Sequence, residues 1–304
     1  MIKEFKGKNL YQGCAGEIRP HDLKNFDFAR GYVVEEKYDG IWINISFDAK
    51  GKVRLISRTM KEKSNVQLES LRVYCEERFD LANSNIVGEL AFGTQKGTEF
   101  AREAGHHKID VFDILGLNGK SLIKDEIIKR KATLRGLIIN RGIDSSWVNL
   151  ASFDVVKKSA DAQKMYDKIV DNGGEGIIVK NPMDMDYRFG KKSPLWYKVK
   201  KEVSMDYIIM GYSETESDDF RAKGWIGGLV CGLYEGEDLV KKVTVGSMDF
   251  EHREKFSKNK FKYIGKVVEV GGFEVFSSGS MRHPFFKTLR KDKRAEDCIW
   301  EVNK

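Results

Sequence analysis

In "VVEEKYDGIW", Lys37 stands between Glu35 and Glu36 on one side and Asp39-Gly40 on the other. A lysine so placed has two chemistries open to it. As an ammonium it is one more charge in a solvated strand corner turning at Asp39-Gly40. Once it has lost its proton it is a nucleophile. Taken alone, the Lys-x-Asp-Gly element reads as the corner.

Further lysines and carboxylates alter that reading, because each sits at the end of a predicted strand or just beyond one. Ser57-Arg58-Thr59 closes "KVRLIS", Gly88-Glu89-Leu90 lies in "IVGELAF", and Phe112-Asp113 lies in "VFDIL". Glu175-Gly176 opens "EGIIVK", and Lys198 and Lys200 alternate in "WYKVKK". Residues two apart on a strand point the same way, so Lys198 and Lys200 present two ammoniums to one pocket. Any one of these residues is an ordinary surface charge; their order along the chain is the signal.

Two apparent motifs carry no chemistry. "LGLNGKS" ends like a phosphate-binding loop, but Gly116 lies too close to Gly119-Lys120-Ser121, and the stretch reads as a hairpin turn. "NIS" at Asn44 lies inside a predicted strand of a chain without a secretory signal, so it is set aside as a glycosylation acceptor.

The elements that must position these residues follow from periodicity. Strand-like alternation marks "GIWINISFD", "KVRLIS", "SNIVGELAF" and "KIDVFDIL", and helical spacing marks "SNVQLESLRVYCEERF", "KDEIIKRKATLRGLII" and "SADAQKMYDKIVDNGG", the last closing on Gly173-Gly174. An α+β or α/β body to about residue 200 is implied. Beyond "LWYKVKKEVSMD" the pattern changes to short apolar runs with Gly-rich turns and one helical interruption at "MDFEHREKF". A smaller β-rich domain, suited to an OB-type or another small barrel, is expected there.

Bulk properties bound the class. The chain has 304 residues, 41% hydrophobic and 33% charged, which suits about two globular domains. The net charge of +7 is set against 46 acidic residues, a modest excess equally compatible with a polyanionic partner and with a solvated basic surface. Cys14, Cys75, Cys231 and Cys298 have neither CxxC spacing nor His neighbours, which argues against a zinc site or a disulfide framework. No apolar run is long enough to span a bilayer and no signal peptide is indicated, so the expectation is a cytoplasmic protein without membrane association.

The succession KYDG, SRT, GEL, VFDIL, EGIIVK and WYKVK, with "RHPFFKTLRKDK" near the C-terminus, resembles the ATP-dependent DNA ligases, a branch of the covalent nucleotidyltransferases, in their minimal viral or phage type. The resemblance runs from Glu35 to Lys293. It implies an α+β fold: a nucleotidyltransferase (adenylation) domain of antiparallel sheets with helices over 1–202, then a C-terminal OB-fold β-barrel over 203–304. Lys200 to Asp206 is the implied hinge.

The resemblance also implies roles. Lys37 is the nucleophile that attacks the α-phosphate of ATP, and Lys198 and Lys200 contact that phosphate. An amine attacks only when unprotonated, so Glu35, Glu36 and Asp39 should not all touch it. Glu35 reads the adenine amino group, Asp39 supports the site, Glu36 faces away, Phe112 stacks on adenine and Glu89 meets the ribose hydroxyls. Asp113 has a lesser role as a site-shaping carboxylate. Arg58 holds AMP or the 5′-phosphate at the nick, an anion its planar fork matches.

In the C-terminal pattern, made of Arg282, Pro284, Phe286, Arg290, Asp292 and Lys293, the pair Arg290 and Lys293 orients the leaving pyrophosphate. Glu175 and Asp292 are the implied ligands of Mg²⁺ or Mn²⁺. ATP is the implied co-substrate and nicked double-stranded DNA the partner of a monomeric enzyme. The sequence departs from the pattern at Trp42, where the family carries an arginine, and at Thr288, where many members carry a basic residue. The competing readings are an RNA ligase or GTP-dependent RNA-capping enzyme of the same superfamily, and a non-catalytic OB-fold nucleic-acid-binding protein. Ser57-Arg58-Thr59, Glu35 and the final Arg-x-Asp-Lys favour ATP and DNA.

Overall fold

In the computed structural model, which describes residues 2–91, 95–185 and 187–301, the chain divides into two units, Met1–Lys200 and Lys201–Lys304. The first runs through β1 (Gln12–Glu17), β2 (Tyr32–Glu36), β3 (Ile41–Phe47), β4 (Val53–Ser57), α1 (Val66–Phe79), β5 (Ser84–Leu90), α2 (Gln95–Ala104), β6 (Ile109–Leu117) and β7 (Lys120–Ser121). It continues through α3 (Ile127–Asn140), β8 (Val148–Leu150), β9 (Phe153–Val156), α4 (Ser159–Asp171), β10 (Gly176–Lys180) and β11 (Lys191–Lys200).

These strands form two sheets. One has the order β1-β11-β10-β2-β9; the other has the order β4-β3-β5-β6-β7, with β8 added beside β6. Both are mixed, because β1 pairs with β11 and β8 with β6 in parallel. The expectation of antiparallel sheets is therefore corrected. A parallel pair needs a crossover rather than a hairpin, and nearly the whole unit separates β1 from β11. Local alternation cannot reveal such a partner.

Local chemistry accounts for the elements that matter to the site. The Asn65 side chain caps α1 by accepting from the Leu68 N–H at 2.8 Å, and Leu68, Leu71, Cys75 and Phe79 bury one face of that helix. Each buried leucine contributes about 1.5–3 kcal/mol. Helix α4 ends at a left-handed Gly173, and β6 turns into β7 through Asn118-Gly119, both at positive φ. The "NGKS" stretch is thus a two-residue hairpin turn.

The second unit contains β12 (Val203–Ser213), α5 (Asp218–Ala222), β13 (Gly228–Glu235), β14 (Asp238–Val245), α6 (Phe250–Lys258), α7 (Lys260–Tyr263), β15 (Val267–Gly272), β16 (Glu274–Val275), β17 (Met281–Arg282) and β18 (Phe285–Arg290). Five of its strands make one sheet in the order β14-β13-β12-β15-β18, and β16 pairs with β17. A closed barrel needs a hydrogen-bonded ladder between its first and last strands. Here β14 and β18 are opposite edges of an open path, and among the described residues only an isolated bridge, between Ser247 just past β14 and Phe285 at the start of β18, links them. The expected OB-fold β-barrel is therefore not present. Short apolar runs and Gly-rich turns specify strands and hairpins, whereas closure depends on a non-local pairing that periodicity does not encode. Among the described residues, no helix is long and apolar enough to cross a membrane.

Candidate active site

Lys37 is the first residue past β2. Its N–H donates to the Gly176 carbonyl at 2.9 Å, extending the β2–β10 pairing by one residue and bringing Lys37 opposite the Glu175-Gly176 entry to β10. Gly176 has φ of +139°, and a Cβ there would lie 2.0 Å from the Val199 carbonyl oxygen. Only glycine lets β10 approach β11 so closely at that point. Gly40 has a similar function on the other flank, where a Cβ would lie 2.2 Å from the Leu90 carbonyl oxygen.

The result is a three-residue charge cluster. The Lys37 ammonium lies 2.5 Å from Oε2 of Glu175, and the Lys200 ammonium lies 3.5 Å from Oε1 of the same carboxylate. The three side chains are 22%, 23% and 27% exposed for Lys37, Lys200 and Glu175, so the cluster is open to a ligand without being in bulk water. Lys198, two residues back on β11, pairs at 2.8 Å with Glu17 of β1. In the sheet register Glu35, Ile178 and Lys198 form one row, and Gly176 and Lys200 are paired beside Lys37.

Lys37, Lys198 and Lys200 line a cleft of about 460 Å³ that also has Glu35, Arg58, Glu89 and Phe112 in its wall. Seven sequence-predicted residues, carried on or just beyond five strands (β2, β4, β5, β6 and β11), are thus gathered around one cavity. Phe112 is half-buried, with the Lys180 ammonium 4.9 Å from its ring centroid. Arg58 is exposed, and its guanidinium lies 5.5 Å from the Tyr11 ring. Trp42 packs edge-on against that same tyrosine, with ring centroids 5.6 Å apart, and is only 8% exposed. Where an arginine was expected, the chain has a packing residue that backs the tyrosine beneath Arg58.

The acidic residues around Lys37 separate cleanly. Glu36 accepts from the Tyr38 hydroxyl and lies beside Gly174, while also contributing to the wall of the cleft. Asp39 is exposed in the loop after Lys37. Glu35 is buried, and its two oxygens accept from Lys131 and Lys180. Burial pushes the Glu35 carboxyl up, but the two ammoniums more than offset this and hold it below the ordinary carboxylate range. Asp113 faces away from Phe112 and makes a buried bidentate pair with Arg130, both contacts at 2.9 Å.

Glu89 behaves differently. Burial pushes its carboxyl up to about 7, with Glu175 and Asp39 reinforcing the shift and Lys37 and Arg58 opposing it. The folded state therefore holds this proton more tightly than an unfolded chain, whose carboxyl titrates near 4.5. The favourable contribution is complete below about 4.5 and is lost as pH rises through about 7. Glu89→Gln is expected to flatten the fall in melting temperature between those pH values, removing at most about 3 kcal/mol of pH-dependent stability. Melting curves of the two proteins across that range check it, and parallel pH profiles would contradict it.

In the second unit, Arg290 lies between two carboxylates. It donates to Asp292 at 2.7 and 3.0 Å and to Asp206 at 3.0 and 3.1 Å, and Lys293 lies 4.0 Å from Asp206. The Arg290 guanidinium holds the Asp292 carboxyl down to about 2. As expected metal ligands, Glu175 and Asp292 fare differently. Glu175 is paired through Oε2 with Lys37 and, more loosely at 3.5 Å, through Oε1 with Lys200, so it could serve an Mg²⁺ that takes its remaining ligands from phosphates and water once one of those pairs opens. Asp292 already gives both oxygens to Arg290, and among the described residues no group of three or more His, Cys, Asp or Glu is placed to hold a metal ion.

Residues 21–200 match the family model described as ATP dependent DNA ligase domain. A DNA ligase of Haloferax volcanii is 28% identical over 308 residues, which cover 86% of this chain and 50% of that protein. The multifunctional non-homologous end joining protein LigD of Mycolicibacterium smegmatis is 25% identical over 303 residues, covering 90% of this chain and 38% of that protein. The chain thus spans half or less of the length of these two relatives. Among solved structures, the ligase domain from M. tuberculosis LigD is similar in fold, with a TM-score of 0.54 at 19% identity, covering 98% of this chain and 99% of that one.

Proposed function

The chain belongs to the ATP-dependent DNA ligase family, and on that premise we propose that it seals 3′-OH/5′-phosphate nicks in duplex DNA through a lysyl-AMP formed on Lys37. The observation that supports this most directly is the lysine cluster around Glu175 at the edge of a cleft whose wall offers an aromatic ring and carboxylates. A phosphoryl transfer asks of a protein one nucleophile and several positioned cations, and the cleft supplies both.

In this reading the Lys37 ion pair with Glu175 opens and the ammonium loses its proton to water. The amine then attacks the α-phosphorus of ATP, forming an N–P bond as the bond to pyrophosphate breaks. Lys198 and Lys200 neutralise the α-phosphate oxygens, which they can reach from one side of β11. Glu35 and Phe112 receive the adenine, Glu89 the ribose, and Arg58 an anionic oxygen of AMP or of the nick. Asp39, exposed beyond Lys37, supports the loop. An oxygen of the 5′-phosphate next attacks the AMP phosphorus as the Lys37 N–P bond breaks, and attack by the 3′-OH on the 5′-phosphorus then forms the phosphodiester as the bond to AMP breaks. A divalent cation, when bound, would neutralise phosphate charge, with Glu175 its ligand from this chain.

Incubation with labelled ATP or GTP, followed by nicked DNA or nicked RNA, tests the reading. An adduct from ATP and sealing of DNA are expected. An adduct from GTP alone, or sealing of RNA alone, would replace the reading with that of a capping enzyme or an RNA ligase. Arg290 and Lys293 are read as orienting the leaving pyrophosphate, which exists only in the first step. Arg290→Ala is therefore expected to slow self-adenylation about tenfold or more while changing the sealing of a pre-adenylylated nick by less than about threefold. Equal losses in the two assays would count against that role.

A further inference from the structure

Two buried lysines close on Glu35, one from the cleft wall and one from behind it. Lys131 of α3 donates to Oε2 of Glu35 and, at 2.8 Å, to the backbone carbonyl of Phe112. Lys180 of β10 donates to Oε1, and its ammonium lies 4.9 Å from the Phe112 ring centroid and 4.4 Å from that of Trp196. The Glu35, Lys131 and Lys180 side chains are only 2–3% exposed. Buried charges are costly unless paired, and a cluster so well sealed constrains every group in it.

The two lysines are not equivalent. Lys180 is part of the cleft wall, whereas Lys131 comes from a helix behind it. Glu35 belongs to one sheet of the first unit and Phe112 to the other. A single ammonium therefore ties the two sheets together at the place where the cleft has its carboxylate acceptor and its aromatic ring.

We propose that Lys131 is a positioning residue for the nucleotide base: by holding the Glu35 carboxylate and the Phe112 backbone together it fixes the gap the purine must fill, and with it the preference for adenine over guanine. The proposal rests on the reading of the cleft as the ATP site. An ionised carboxylate accepts hydrogen bonds and donates none. At the edge where adenine offers an amino donor, guanine offers a carbonyl oxygen, which an ionised Glu35 repels. Without Lys131, Glu35 keeps one cation, the Phe112 carbonyl loses a donor, and both the spacing and the acceptor are loosened.

The test is self-adenylation kinetics with ATP and with GTP for the wild type, Lys131→Met, Lys131→Arg, Glu35→Gln and the Glu35→Gln/Lys131→Met pair. Lys131→Met is expected to raise the KM for ATP about tenfold, leave the maximal rate within about threefold and narrow the ATP-over-GTP preference about tenfold. Lys131→Arg should recover most of the loss. Because Lys131 acts through Glu35, the double variant should have nearly the KM of Glu35→Gln alone. An unchanged KM and preference, a fall in maximal rate without recovery by arginine, or full additivity with Glu35→Gln would each overturn the proposal. Should Lys131→Met not fold, the double variant, which removes the Glu35–Lys131 pair and leaves Lys180 as it is in Glu35→Gln, is compared with Glu35→Gln in the same way. Absence of an ATP adduct in the wild type would overturn the reading of the cleft and the proposal together. A wild-type adduct accompanied by any of the overturning results removes Lys131 alone.

Discussion

Lys37→Ala is expected to abolish the adenylate adduct and nick sealing, a loss on the order of 10⁴-fold or below detection, while the protein stays folded. Two effects contribute and differ greatly in size. Losing one cation near a triphosphate weakens binding modestly, since Lys198 and Lys200 remain on the same cleft. Losing the nucleophile removes the acceptor of AMP altogether. Stability should change little: Lys37 is partly exposed, its ion pair is worth about 1 kcal/mol or less, and Glu175 keeps Lys200 at 3.5 Å. Lys37→Arg separates the two effects, because it restores the charge and the pair with Glu175 but offers a guanidinium that is not a nucleophile. Both variants should melt like the wild type and form no adduct. Sealing by either would sink the assignment of Lys37.

Much of this site could be read from the sequence because strands fix direction. Once Lys198 and Lys200 are placed two apart on one strand, and Lys37 and Glu175 beside strand ends, the only remaining question is which ends meet. The ordered motifs answered that by resemblance. The partner of Lys37 could not be read in the same way. Glu175 lies 138 residues from it, and the sequence offered Glu35, Glu36 and Asp39 as nearer candidates. Sheet register selected Glu175, since Gly176 is the residue bonded to the Lys37 N–H.

Lys131 was missed although a signal existed. Ile127, Arg130, Lys131 and Leu134 occupy the i, i+3, i+4, i+7 stripe that a helix buries, and two of the four are cations. A cation on a buried stripe requires a buried carboxylate elsewhere, and Asp113 and Glu35 are those carboxylates. The open sheet of the second unit and the parallel β1–β11 pair escaped for the opposite reason: nothing in a local pattern records a pairing between distant strands.

The second large effect is expected at Asp113. Asp113→Ala should destabilise the first unit by about 3–5 kcal/mol, because it leaves the Arg130 guanidinium, 2% exposed, with the Asp125 carbonyl at 2.7 Å as its remaining acceptor among the described residues. The pair itself need not be strongly stabilising, since the desolvation of both charges opposes their attraction. Removing one partner exposes that cost in full. Replacing both by apolar residues of similar size, as in Asp113→Leu with Arg130→Met, should therefore recover most of the stability lost in the single variant. Thermal or urea unfolding of the three proteins decides this, and a double variant no more stable than Asp113→Ala would show that the pair contributes net attraction. The consequence for function follows from adjacency. Asp113 is next to Phe112 on β6, and Arg130 is next to Lys131 on α3, so the ion pair seats the helix that delivers Lys131 to Glu35. A double variant that regains stability and also regains its KM for ATP would mean that any firm seat for α3 is sufficient. One that regains stability alone would mean that the bidentate pair also fixes where along β6 the helix sits.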